Sequence, residues 1–490
     1  MSFLSHRRRL ATATGIALVA GLMAAPAVSA VPQAPAAPSA KGLHDDFNGD
    51  GYADVAVGAP RAAAGGSSRA GAVSVLYGGP GGLTKDRKQV LTWPERRGLT
   101  IPWSAEYGTG LRGADLDGDG YADLISRLQS AVSGDSGRAT AVNWGGPSGL
   151  SKNATVLKPV PGDQDEDSGD LAVGDVNGDK VPDIVLGDVR KGGHVLYGPV
   201  KRSGAWSRVG EFGVDAPGVT HTGAVAVGDV TGDGTGDLVV LSFREDPWLQ
   251  STFVLPGGRD GFGAPVEIKN AQDKPVGGTS VGVADLDRDG FGDVVIGKAD
   301  DYTQADTPDM KGGSVFVSYG GPGGRSTSRE PVRINQDTEG VPGTAEYHDW
   351  MGFNLSFGDT DGDGYTDVAT GVPLEKVTGT TAAGRVIVLK GGPDGVSGAG
   401  AKEFGQFTAG VPGKVEQHDR FGEATSLADH NADGKAQLVV GGPAENRRHG
   451  ALWVFRSNAS GVIANGSFSF GAATIGAPKG ASHFSEFLTD

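Results

Sequence analysis

One nine-residue pattern recurs seven times along this 490-residue chain and restricts its fold more than any other feature. The fullest copy runs from Asp359 to Asp367, with Asp359, Asp361, Asp363 and Asp367 at positions 1, 3, 5 and 9, glycines at 4 and 6, and Tyr365 at 7. In the same positional order the other copies are Asp46, Asn48, Asp50, Tyr52 and Asp54; Asp115, Asp117, Asp119, Tyr121 and Asp123; and Asp175, Asn177, Asp179, Val181 and Asp183. Asp229, Thr231, Asp233, Thr235 and Asp237 follow, then Asp285, Asp287, Asp289, Phe291 and Asp293, with a degenerate seventh at Asp429, Asn431, Asp433 and Gln437. First positions are 69, 60, 54, 56, 74 and 70 residues apart, and self-similarity at that period is the mark of a propeller or solenoid.

The chemistry of the loop is that of a hard cation site. Ca²⁺ takes six to eight oxygen ligands at about 2.3–2.6 Å, which four acidic side chains and the backbone carbonyl of position 7 can supply. The spacing begins like an EF-hand loop but closes at position 9, and a strand rather than a helix follows. Asp-Gly turns are also ordinary hairpin connections. Seven in register favour metal, with up to about six ions and the third and seventh loops weakest. With every acid engaged, few coordination positions stay open, and no histidine lies at a zinc spacing. The expected role is structural.

Each loop leads into a short apolar strand such as Asp293–Gly297, and a second strand led by glycine follows, as in Gly313–Tyr319. A Gly-Gly-Pro turn closes it, as at Gly78–Pro80. Adding a strand on either side gives about four per repeat, the size of a propeller blade. Candidate inner strands begin at Met351 and Phe421, but almost nothing precedes the first loop. The missing strand is expected at the C-terminus, around Phe484–Asp490, which would close the ring and remove two open edges. The expectation is an all-β, seven-bladed propeller over residues 43–490.

Residues 1–30 read as a signal peptide, with Arg7–Arg9 before an apolar run and Val28-Ser29-Ala30 at the cleavage site. Arg8-Arg9 leaves Sec and twin-arginine export both open. Residues 31–42 form a Pro/Ala-rich linker. Removing three leader arginines takes the net charge from −16 to −19, and 23 of the 59 acidic residues sit in the loops. The acidity therefore reads as metal ligand and argues against a nucleic-acid partner. An exported chain with no cysteine does without disulfides, which leaves metal as the natural staple.

Phe421-Gly422, the loop from Asp429 and Gly441-Gly442-Pro443 together resemble an FG-GAP repeat, the unit of the integrin α-subunit propeller and of many exported bacterial proteins. The related element also stands at Gly58-Ala59-Pro60, Gly371-Val372-Pro373 and Gly476-Ala477-Pro478. The resemblance covers residues 43–490 and implies seven blades, Ca²⁺ in the hairpin of the first two strands, and ligands on the opposite face. Repeats two to five lack the full Phe-Gly pair, Lys180 replaces a loop glycine, and Gln437 replaces the last aspartate.

Enzyme motifs are weak. Gly278–Gly282 matches Gly-x-Ser-x-Gly but lies in a strand rather than a strand-to-helix elbow. Gly134–Gly137 resembles a serine-protease signature without its framework, and His348-Asp349 and His418-Asp419 repeat in step with the blades as turn residues do. The Asp163–Asp167 run reads as a solvated loop. Trp93, Trp103, Trp248, Tyr302 and Trp350 lie in variable segments suited to recognition, whereas Trp103, Tyr107 and Trp350 also suit packing between blades. The function expected is a secreted, monomeric binding or adhesion module for an extracellular protein or surface ligand, with no integral membrane segment. Its alternative is a lectin-like glycan binder, and a Ca²⁺-dependent polysaccharide-active enzyme comes third.

Overall fold

Runs of β-branched residues between glycine-rich turns fold into seven antiparallel four-stranded sheets in the computed structural model. It describes residues 43, 45–64, 66–93, 105–128, 139–157, 160, 168–188, 192–244, 250–299, 311–478, 480 and 482–489. The expected leader and linker, Trp103, Ser136, the Asp163–Asp167 run, Trp248 and Tyr302 lie outside them. Blade I contains Val55–Ala59, Ala72–Leu76 and Lys88–Thr92; blade II contains Thr109–Ala114, Asp123–Leu128, Ala139–Asn143 and Thr155–Val156. Blades III and IV begin with Ser168–Gly174 and Val219–Gly228, and blades V, VI and VII with Ser280–Ala284, Leu355–Gly358 and Ala424–Ala428. Among the described residues, helix is confined to Glu445–Arg448 and the 3-10 turn Ala472–Ile475. None is long and apolar enough to cross a membrane.

The ring closes as expected. Phe487–Leu488 pairs antiparallel with Val57–Gly58 as the inner strand of blade I. Thr489 adds one donor and one acceptor: its N–H reaches the Ala56 carbonyl at 3.0 Å, and its Oγ1 accepts the Ala56 N–H at 3.0 Å. Inner strands of the blades surround a central channel of about 650 Å³, lined by residues such as Ala172, Ala226, Val283 and Phe357.

The core lies between blades. Seven buried clusters each join two neighbouring sheets: Val55 and Val57 pack with Val439 and Leu452 of blade VII, while Ala56 and Val73 pack with Leu111 and Leu124 of blade II. Strands buried on both faces explain the uninterrupted apolar runs, because no face is left for alternation with polar residues.

Glycine is required where second strands touch the next blade. A Cβ on Gly371 would stand 1.9 Å from the Gly422 carbonyl oxygen, and one on Gly297 would stand 2.1 Å from that of Gly352. The residue before each acceptor is a buried plug: Met351, Phe421, and at the first interface Tyr107 before Gly108. Tyr107-Gly108 thus takes the place of the Phe-Gly pair expected to be incomplete in the second repeat, and Met351-Gly352 holds the same place in the sixth. The inner strands also start later than expected, at Leu355 and Ala424, because Met351–Asn354 and Phe421–Glu423 cross the blade interface first.

Candidate functional site

Six of the seven acidic loops connect an inner strand to the second strand of their blade, and the first leads into the second strand of blade I, whose inner strand is Phe487–Leu488, so in antiparallel sheets all share one face with the turns between third and fourth strands. The carboxylate at position 1 organises each loop from within. Asp46 Oδ1 accepts the N–H groups of Gly49 at 2.7 Å and Asp50 at 3.1 Å, and its Oδ2 accepts that of Gly51 at 2.8 Å. Asp359 and Asp429 bind Gly364 and Gly434 in the same way, each at 2.7 Å. These bonds need positive φ at positions 4 and 6, as at Gly362 (79°) and Gly364 (89°). Lys180 adopts 67° in the third loop, so the replacement of glycine there leaves the loop's path unchanged.

The N–H of position 7 donates to the carboxylate of position 5, for example Tyr52 to Asp50 at 3.2 Å and Tyr365 to Asp363 at 3.0 Å. Side chains at position 7 have a separate job: Tyr121 covers Gly49 of the preceding loop, and Phe291 covers Gly232. The loops therefore abut around the face, a relation that the aromatic character of position 7 could have signalled.

Position 9 braces the hairpin to the third strand. Asp54 Oδ2 accepts the Phe47 N–H at 2.9 Å, while its Oδ1 accepts the Gly78 N–H at 2.8 Å. The Asp123–Gly145, Asp183–Gly198, Asp237–Gly257, Asp293–Gly320 and Asp367–Gly391 pairs repeat the brace at 2.8–3.0 Å. Burial pushes Asp54 up to about 8, Asp123 and Asp293 to about 7 and Asp183 to about 6. In each case neighbouring carboxylates add to the rise.

The donor set suits a hard cation. Ligand oxygens of Asp115, Asp117 and Asp123 lie within 4.8 Å of one another, as do those of Asp285, Asp287 and Asp289, and of Asp359, Asp361 and Asp367. Asp117 Oδ1 and Asp285 Oδ1 are buried without a hydrogen-bond partner, an expensive state for an anionic oxygen unless a cation meets it. In the seventh loop Gln437 Oε1 accepts the His430 N–H at 2.8 Å, and its Nε2 donates to Asn431 Oδ1 at 3.0 Å and to the Lys435 carbonyl. An amide N–H group therefore sits among the position 3 and position 7 oxygens, and both converge on one point.

Several other sequence candidates have structural partners. Trp93 is buried against Tyr107, with ring centroids 5.6 Å apart, which corrects its reading as a recognition residue. Trp350 stacks on Phe353 at 5.7 Å, and Ser280 Oγ donates to the Gly352 carbonyl at 2.9 Å. His348 and His418 occupy left-handed turn positions. The exposed aromatic on this linking segment is Tyr347, at 57 %, a residue the sequence reading missed.

Residues 42–76 and 351–389 match the FG-GAP repeat. Integrin alpha-PS2 of Drosophila melanogaster is 32% identical over 126 residues, covering 24% of this chain and 8% of that protein. Integrin alpha-6 of Homo sapiens is 32% identical over 120 residues, covering 24% and 9%. The chain thus matches less than a tenth of the length of these relatives. Among solved structures, the Dos1 propeller aligns with 79% of this chain and 78% of its own at 10% identity and a TM-score of 0.42. The chain is thus a seven-bladed β-propeller that carries FG-GAP repeats and is similar over part of its length to integrin α-subunits.

Proposed function

We propose that this chain is an exported, Ca²⁺-stabilised propeller that acts as a binding or adhesion module for an extracellular protein or surface ligand. The observation that carries the reading is the convergence of oxygen donors in loop after loop, with buried, unpartnered carboxylate oxygens at Asp117 and Asp285. Side chains at positions 1, 3, 5 and 9, with the carbonyl at position 7, would hold the ion in the first six loops. Bound there, Ca²⁺ would neutralise carboxylates whose mutual repulsion and burial disfavour ionisation, and so brace the hairpins. The reading places export with residues 1–30 removed and residues 31–42 as a spacer. Recognition would fall to the opposite face, where the connections between blades run and Tyr347 is exposed.

Two measurements test it. The thermal midpoint at neutral pH should fall on chelation, and Asp361→Ala should cost far more than Asp433→Ala, whose loop already lacks its last carboxylate. A midpoint indifferent to chelator, or equal losses in the two variants, would sink the metal reading. A screen of extracellular proteins and a glycan array, each run with Ca²⁺ and with chelator, tests the module. A protein hit lost on changing Tyr347 supports it, whereas a sugar hit would move the assignment to a lectin.

A further inference from the structure

We propose that Arg202, Arg329 and Lys390 are tethered counter-cations for the position 3 aspartates of the second, fifth and sixth loops, holding these loops without metal and yielding to a divalent ion. The inference rests on the metal reading above. Position 3 divides the loops into two sets. In the first, third and fourth it is Asn48, Asn177 or Thr231, and each carries its own donor: Asn48 Nδ2 to Asp50 at 3.3 Å, Asn177 Nδ2 to Asp183 at 3.3 Å, Thr231 Oγ1 to Asp237 at 3.4 Å. An ionised aspartate has no hydrogen to give, so Asp117, Asp287 and Asp361 add a fourth charge and bring no donor of their own to relax it.

A basic side chain arrives at each of those three loops. From blade III, Arg202 reaches across, with Nε 2.5 Å from Asp117 Oδ2 and Nη2 2.5 Å from Asp119 Oδ2. Lys390, at the end of the third strand of blade VI, meets Asp361 and lies 2.8 Å from Asp363 Oδ2. Arg329 lies on Asp287 with its guanidinium 3.8 Å over the Tyr319 ring. Among the described residues, no ion pair reaches the acids of the first, third or fourth loop.

The basic group thus restores the charge of a three-acid loop and occupies the carboxylate of position 3, with that of position 5 as well in the second and sixth loops, oxygens that a divalent ion would also use. Tether and ion compete for the same oxygens. Loops with a tether should keep their shape without metal and bind it less tightly than their four carboxylates would otherwise allow.

The test is a calcium titration of the chelated full chain by isothermal calorimetry, with bound ions counted by native mass spectrometry. Lys390→Gln should tighten one site on the order of tenfold, since it removes a competing charge beside the ion. In chelator the same variant should melt below the wild type, and Asp361→Asn added to it should restore the midpoint, which a general loss of packing would not allow. Wild type that binds calcium while Lys390→Gln binds it no more tightly overturns the tether alone, as does an unchanged midpoint in chelator. Wild type that takes up no calcium overturns the metal reading and the competition together.

Discussion

Between blades V and VI, Gln336 Nε2 donates to Glu375 Oε2 at 2.9 Å, and Arg385 Nη2 donates to Glu375 Oε1 at 2.8 Å while Nη1 holds Glu403. Seventy residues on, between blades VI and VII, Gln406 Nε2 donates to Glu445 Oε2 at 3.2 Å, but Ala451 follows its glycine where Arg385 follows Gly384. Asp349 and Asp419, both buried, accept the N–H groups of Glu346 at 2.6 Å and Glu416 at 2.9 Å. The two junctions share a scaffold and differ by one guanidinium. Where Arg385 stands, Glu375 has a fixed cation. Without it, Glu445 and Asp419 lie within 4.8 Å of each other and of Glu416, and burial together with the Asp419 charge pushes Glu445 up to about 8. A proton there does the work of the arginine. Burial also raises Asp349 to about 8, with Glu375 adding to the rise, so the arginine relieves Glu375 more than its neighbour.

Removing the guanidinium should have the largest effect. Arg385→Ala leaves two acids facing an apolar interface and should cost about 3 kcal/mol, read as a lowered calorimetric midpoint. An unchanged midpoint would mean that both acids protonate freely and that the junctions are alike. Next comes a pair of identical substitutions with opposite signs. Glu375→Gln should lose about 2 kcal/mol at pH 8, because it discards one end of a charge-assisted bond. Glu445→Gln should instead raise the midpoint at pH 8, by an amount that shrinks toward pH 5. The sign follows from linkage: a folded-state value of about 8 against an ordinary 4.5 means the folded chain keeps a proton that the unfolded chain has released. That contribution is full below the ordinary value and is lost as pH rises through about 8. Melting curves for both variants at pH 5 and pH 8 check it, and two effects of the same sign would erase the contrast. Smallest is Gln406→Ala, at about 1 kcal/mol for one hydrogen bond, measured against Gln336→Ala at the arginine-bearing junction.

Much of the architecture could be read from the chain because its signals are local and repeated. Seven loops at a regular period count the blades, and the lack of a strand-like sequence just before Asp46 points to the C-terminal segment in which Phe487–Leu488 lies. What escaped reading depends on residues brought together from afar. Arg202 reaches Asp119 across 83 positions from a turn with no pattern of its own. Gly78 and its counterparts look like turn punctuation, yet they donate to the aspartate of position 9. Trp93 follows a strand in a variable stretch, and only the neighbouring sheet shows that Tyr107 receives it. That Lys180 holds a glycine conformation could not be read either, since a left-handed backbone disfavours a side chain without forbidding it.

The closure of blade I also sets the timing of biogenesis. Ala56 meets Thr489 across 433 positions of chain. At roughly 5–20 residues per second of synthesis, the edge left by Val57 and Gly58 waits roughly 20–90 s for its partner. Six blades can form in sequence while the first stays a template for any passing strand. A holdase bound to that edge, or transport of the chain before it folds, would cover the interval, and a pause late in translation would lengthen it.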